Sequence, residues 1–163
     1  MRVWRFLSVA AGLLTAAPLV TAAQVTTPFA VTVTVVRGCI IAATDLSFGT
    51  YPAIAVPPTV LATSTVRVTC ELGDTYSIGL NDGGNASNAQ RRMARATLPV
   101  SYLNYNLFQD PARTIVWRDT GQTRVEAIGT GTAQTYTVYG HLPGGQVVPV
   151  GAYVDTVRVT VRN

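Results

Sequence analysis

The side chains in this chain that could carry chemistry are few: two cysteines (Cys39 and Cys70), one histidine (His141) and eight carboxylates. A zinc centre wants four nitrogen or sulfur ligands, and two cysteines with a single histidine fall short of that. Nucleophilic catalysis wants a serine or cysteine with a base beside it. His141 is the lone imidazole, it lies between Gly140 and Leu142, and no Gly-x-Ser-x-Gly elbow occurs. Glycoside cleavage needs two converging carboxylates. Asp45, Glu71, Asp74, Asp82, Asp110, Asp119, Glu126 and Asp155 are scattered singly, and their spacing selects no pair. Tyr51, Tyr102, Tyr105, Phe108 and Trp117 could form a sugar-stacking platform, but aromatics of this kind also fill cores. The reading is therefore no catalytic residue, no metal and no cofactor. A hydrolase is the least favoured alternative, and an independent carbohydrate-binding or adhesin module is kept as another. What remains for the cysteines is a bond to each other.

The chain start supplies the compartment in which that bond persists. Arg2 and Arg5 precede a short apolar run over residues 6–14, Pro18 breaks it, and Thr21-Ala22-Ala23 follow. This is the pattern of a secretory signal removed near residue 23. The run is shorter than the ~20 residues a membrane span needs, so the mature form is expected to have no span. In an exported chain a sparse, even cysteine count means a disulfide. Closing a loop of about 30 residues, the bridge is worth ~3–4 kcal/mol in the chain-entropy picture. It is expected to staple the sheets of a small β domain. Loss of Arg2 and Arg5 lowers the formal net charge of +4 by two, and the chain has no lysine. Arg91-Arg92 with Arg95 is the one basic cluster, too sparse for a nucleic-acid surface.

About 140 residues then remain, enough for one domain. Their dominant pattern is period-two alternation rich in Val and Thr, the mark of half-buried strands. It appears over 29–35 and 65–69, each leading into a cysteine, and again over 75–80, 98–108, 114–117, 134–140 and 152–162. Turn formers separate these runs, among them Asn81-Asp82-Gly83-Gly84-Asn85 and Pro143-Gly144-Gly145. The stretch 82–96 is the most polar and reads as a loop; it contains Asn85-Ala86-Ser87, a glycosylation sequon. Many short strands at this spacing predict an all-β, immunoglobulin-like sandwich. Both terminal runs are single-faced. Near the start Val25, Thr27, Phe29, Val31, Val33 and Val35 share one face, and near the end Val157, Val159 and Val161 do. Such strands invite edge-to-edge pairing.

Several motifs occur in order. They include Phe29-x-Val31-x-x-x-Val35 before Cys39, Leu46-Ser47-Phe48-Gly49-Thr50-Tyr51, Val66-x-Val68-Thr69-Cys70 and Tyr76-x-Ile78-x-Leu80-Asn81-x-Gly83-Gly84. Arg92-Met93, the block from Leu103 to Trp117, Val138-Tyr139-Gly140-x-Leu142-Pro143 and Gly151-x-Tyr153-x-Asp155-Thr156-Val157 complete the set. Together they resemble the spore coat U domain family, which includes pilins of the archaic, Csu-like chaperone–usher pathway.

The resemblance implies an incomplete immunoglobulin-like β-sandwich that needs a donor strand. It implies a domain over 24–163, with 24–35 as the candidate donor strand, offered to a neighbouring subunit through Val25, Phe29, Val31, Val33 and Val35, the part through Val33 being favoured; the alternative is that 29–35 is this domain's own first strand. It also implies a C-terminal strand, Val157, Val159 and Val161, that contacts a chaperone. Strand addition draws affinity from main-chain hydrogen bonds and specificity from alternate side chains in pockets. Its head-to-tail geometry propagates an open filament. The implied partners are a periplasmic chaperone, an outer-membrane usher and neighbouring pilin subunits; the implied function is a structural subunit of a cell-surface pilus serving adhesion and biofilm formation. A secreted coat protein of the same fold is the alternative. Two departures stand out. The chain ends Val161-Arg162-Asn163 where relatives commonly carry a terminal aromatic, and Arg118 follows Trp117 where glycine is common.

Overall fold

The computed structural model describes Ala30, Thr32, Val33 and residues 38–163. The expected signal, most of the strand over 29–35 and the positions Val25, Phe29, Val31 and Val35 lie outside the described residues. The chain divides into two units, Met1–Val35 and Val36–Asn163, and the strands of the described residues all belong to the second.

Among the described residues, nine strands form two antiparallel sheets. They are β1 Ile40–Ala43, β2 Val60–Thr69, β3 Thr75–Leu80, β4 Arg91–Arg95, β5 Tyr102–Phe108, β6 Val125–Ile128, β7 Gln134–Leu142, β8 Tyr153–Val154 and β9 Val159–Arg162. The larger sheet runs β1-β2-β7-β5-β4-β8 and the smaller β6-β3-β9. A 3-10 turn, Gly121–Thr123, precedes β6. The all-β sandwich predicted from the alternation is the architecture found. Four strands supply the buried core, Val66 and Val68 from β2, Ile78 and Leu80 from β3, Leu103 and Leu107 from β5, Val138 and Leu142 from β7, joined by Trp117. Fully burying side chains of this size contributes about 1.5–3 kcal/mol each. Trp117 is 1 % exposed, and its indole N–H donates to the Ile78 carbonyl at 2.9 Å. No helix among the described residues is long and apolar enough to cross a membrane.

Four expectations are corrected. Cys39 and Cys70 are bonded, with S–S 2.05 Å, but they do not staple one sheet to the other. They flank Ile40 and Thr69, the terminal pair of the β1–β2 ladder, and so close the end of one edge hairpin. The C-terminal run is not one strand. It pairs with β4 as β8, crosses between sheets over 155–158, and pairs with β3 as β9. Residues 114–117 form no strand and touch β5 by a single bridge, Phe108 to Val116. The polar stretch after Asp82 holds β4, whose Arg91 is wholly buried.

Candidate functional site

The C-terminal strand presents an open edge. Asn81 and Arg158 fix its orientation: the Arg158 amide donates to Asn81 Oδ1 at 2.8 Å, and the Arg158 carbonyl accepts from the Asn81 amide at 3.0 Å. Both groups of Arg158 thus face β3. Backbone direction alternates along an antiparallel strand, so Val157, Val159 and Val161 aim their N–H and C=O groups the other way. Among the described residues no strand meets them there, since β9 has β3 as its partner and ends the sheet order. The side chains of these valines pack against the core. Half-buried side chains and unpaired backbone make this edge a template for another strand.

Beside the edge lies an open groove of about 490 Å³. One wall is built from residues 153–157 and Val159, the other from residues 43–46 and Phe48, and Val66, Leu80, Leu107 and Val138 of the core lie between. A second cavity of about 520 Å³ shares Leu46, Phe48, Met93 and Tyr153 with it. The groove is chiefly apolar, and Ser64, its polar floor residue, is occupied: its hydroxyl donates to the Thr44 carbonyl.

Polar struts hold these walls. Asp155 Oδ1 accepts from the amides of Gly84 (2.9 Å) and Asn85 (3.1 Å), while Oδ2 accepts the Tyr105 hydroxyl at 2.7 Å. Burial, reinforced by that hydrogen bond, pushes the Tyr105 phenol well above its ordinary range. Arg91 sends Nη2 to the carbonyls of Leu80 (3.0 Å), Asn81 (2.8 Å) and Trp117 (2.7 Å), and burial lowers its pKa. At the far end of β9, Arg162 grips Asp119 through both carboxylate oxygens, and Arg124 joins at 3.1 Å. The Arg162 bond holds the Asp119 carboxyl below its usual range, with Arg124 assisting. Both sequence departures find partners: Arg118 pairs with Asp82, and Arg162 near the chain end pairs with Asp119.

Of the site residues expected from sequence, Val157 and Val159 line the groove, and Val161 packs against the same core. Val33 is 85 % exposed. His141 sits edge-on to Phe108, their ring centroids 6.2 Å apart. The aromatics do not make one exposed platform: Tyr105, Phe108 and Trp117 are buried, and Tyr102 is covered by the Arg92 guanidinium at 4.2 Å. Asn85 of the sequon spends its side-chain amide on Asp155 Oδ1 (3.1 Å) and the Val154 carbonyl (3.3 Å). No group of three or more His, Cys, Asp or Glu side chains suited to a metal occurs among the described residues. Sequence reasoning gave no role to Asp155, Arg91 or Asp119. A readable sign existed for Asp155: it is the one acid at a core-facing place in a run of valines.

Comparison with known proteins agrees with this architecture. The family model of the spore coat protein U domain matches residues 25–160. "Protein U" of Myxococcus xanthus is 34 % identical over 125 residues, 71 % of this chain and 70 % of that protein. Among solved structures, the chain is similar to one in the chaperone–tip adhesion subunit pre-assembly complex (CsuC–CsuE) of the archaic chaperone–usher Csu pili of Acinetobacter baumannii. The TM-score is 0.58 and the identity 29 %, over 80 % of this chain. The match spans 40 % of that Csu chain. With the family model matched over most of its length, this chain belongs to the spore coat protein U domain family.

Proposed function

We propose that this chain is an exported structural subunit of a surface pilus, polymerised by strand donation. The carrying observation is the outer edge of Val157, Val159 and Val161 beside a chiefly apolar groove. In this reading residues 1–23 are removed on export, and residues 24–35 of one subunit enter the groove of the next. Val25, Phe29, Val31, Val33 and Val35 face inward there. A periplasmic chaperone occupies the same edge beforehand, and an outer-membrane usher releases the subunit into a fibre that serves adhesion and biofilm formation. The likeness to a Csu pilus chain supports the pilus. The family's description as a spore coat protein U domain supports a second reading, a coat component assembled by the same edge.

Expression with a periplasmic chaperone, with and without residues 24–35, tests the proposal. The shortened chain is expected to be captured by chaperone and to form no fibres. Normal fibres from it would overturn the donor assignment. Electron microscopy of the wild-type product separates the two readings, since a pilus gives discrete thin fibres and a coat gives a continuous layer.

A further inference from the structure

Asp155 stands where the chain changes sheets. Tyr153–Val154 belongs to β4's ladder and Val159–Arg162 to β3's. The crossing is held by two main-chain bonds, the Thr156 carbonyl accepting from the Gly84 amide at 3.1 Å and the Arg158 carbonyl from the Asn81 amide at 3.0 Å, and Asp155 adds a side-chain lock ahead of them. The carboxylate does this with four donors from two directions. Oδ1 takes the Gly84 amide at 2.9 Å, the Asn85 amide at 3.1 Å and the Asn85 side-chain amide at 3.1 Å; Oδ2 takes the Tyr105 hydroxyl at 2.7 Å. Successive backbone N–H groups aimed at one oxygen form an anion nest. The nest depends on glycine: Gly83 has φ +87°, and a Cβ there would lie 1.9 Å from Asp155 Oδ2.

The position is unusual for a carboxylate. Asp155 shares the parity of Val157, Val159 and Val161, and the sequence pattern would place another valine there. A polar group taken from water contributes little net stability even when matched, and an apolar side chain serves a core as well. What a matched carboxylate supplies is geometry, because it satisfies its donors in one arrangement only. Asp155 and Tyr105 also line the groove, and the crossing leads directly into the open edge.

We propose that Asp155 is the positioning residue of the acceptor edge. By locking into the turn after β3 and onto Tyr105, it holds Val157, Val159 and Val161 extended and in register before any strand arrives. This inference rests on the strand-acceptor reading and adds to it the residue that keeps the acceptor preformed. Preformation matters because an edge that must first be ordered binds its strand more weakly by the ordering entropy.

The test uses the full chain with its disulfide intact and a labelled synthetic peptide of residues 24–35. Dissociation constants are measured together with amide hydrogen exchange. Wild-type chain is expected to bind the peptide and to gain protection at the Val157, Val159 and Val161 amides. In Asp155→Ala, binding is expected to weaken about ten- to hundredfold, the scale of losing charge-assisted hydrogen bonds. Protection at Val66 and Ile78 should survive. Should the alanine variant lose core protection too, Asp155→Asn and Tyr105→Phe decide, each sparing part of the lock. The proposal then requires weaker peptide binding with core protection retained in both. Unchanged affinity in all variants that keep their core would overturn the positioning role while leaving the strand-acceptor reading intact. Failure of wild-type chain to bind the peptide would remove that reading, and the positioning role with it.

Discussion

Replacing Arg91 by methionine removes the strut that ties the end of β3 to the chain after β5. Arg91 has no exposed surface, and its guanidinium serves the carbonyls of Leu80, Asn81 and Trp117 at 2.7–3.0 Å. Methionine keeps most of the length and apolar stem but donates nothing. A carbonyl left buried without its donor costs about 1–3 kcal/mol, so the gross loss is about 3–9 kcal/mol. Relief of guanidinium burial and the packing of the thioether offset about 1–4 kcal/mol of it. Asp82, 3.9 Å from Arg91 Nη2, is partly exposed and keeps Arg118, so no stranded charge adds to the cost. The net expectation is about 2–5 kcal/mol of destabilisation, a large share of the 5–15 kcal/mol typical of a domain. At roughly 3–5 °C per kcal/mol for this size, the midpoint falls by about 6–25 °C. Thermal and urea unfolding followed by circular dichroism on oxidised chain would measure it. Arg91→Lys, able to reach some of the same carbonyls, should fall between methionine and wild type. A methionine variant within about 1 kcal/mol of wild type would refute the reasoning, because the carbonyls would then be finding other donors at no cost.

Two further perturbations address the ends of the site. The Asp119 carboxyl is held below its ordinary range chiefly by Arg162. A depressed folded pKa gives stability that is present above the unfolded carboxylate range and lost as pH falls through the folded value. Urea midpoints measured from pH 7 down to pH 2 should therefore drop below about pH 4, with a shallower drop in Asp119→Asn; parallel curves for the two proteins would contradict the pairing. Cys39→Ser opens a loop whose ends are 31 residues apart. It should cost ~3–4 kcal/mol and lower accumulation of the exported chain, read by denaturant unfolding and by immunoblot, and unchanged stability would count against the bridge as a support.

How much was legible in the sequence depends on the surroundings of each strand. β3 is found at its expected residues, Thr75–Leu80, because its alternation is clean and turn formers bound it. β2 begins five residues before the predicted 65, at Val60, because Ala62 and Ser64 occupy its inward positions and dilute the apolar signal. The split of the C-terminal run was hidden because both halves keep one parity: Tyr153, Asp155, Val157, Val159 and Val161 alternate unbroken while their ladder partners change. β4 was hidden for the opposite reason. Arg91-Arg92-Met93-Ala94-Arg95 looks solvated, yet three carbonyls converging from distant segments make a buried guanidinium tolerable. The same holds for the groove. Period-two patterning identified which valines of the terminal strand face inward, but the open side of that strand is set by the order of strands in a sheet. Local sequence does not encode that order, and pairing over long separations sets it.

A high-resolution structure of the assembled fibre tests the central claim most directly. Strand donation predicts an extended segment, residues 24–35 of a second copy, hydrogen-bonded along the outer edge of Val157, Val159 and Val161 with its alternate side chains in the groove. Subunits that meet through other surfaces, with that edge still facing solvent or covered by the chain's own residues, would contradict it.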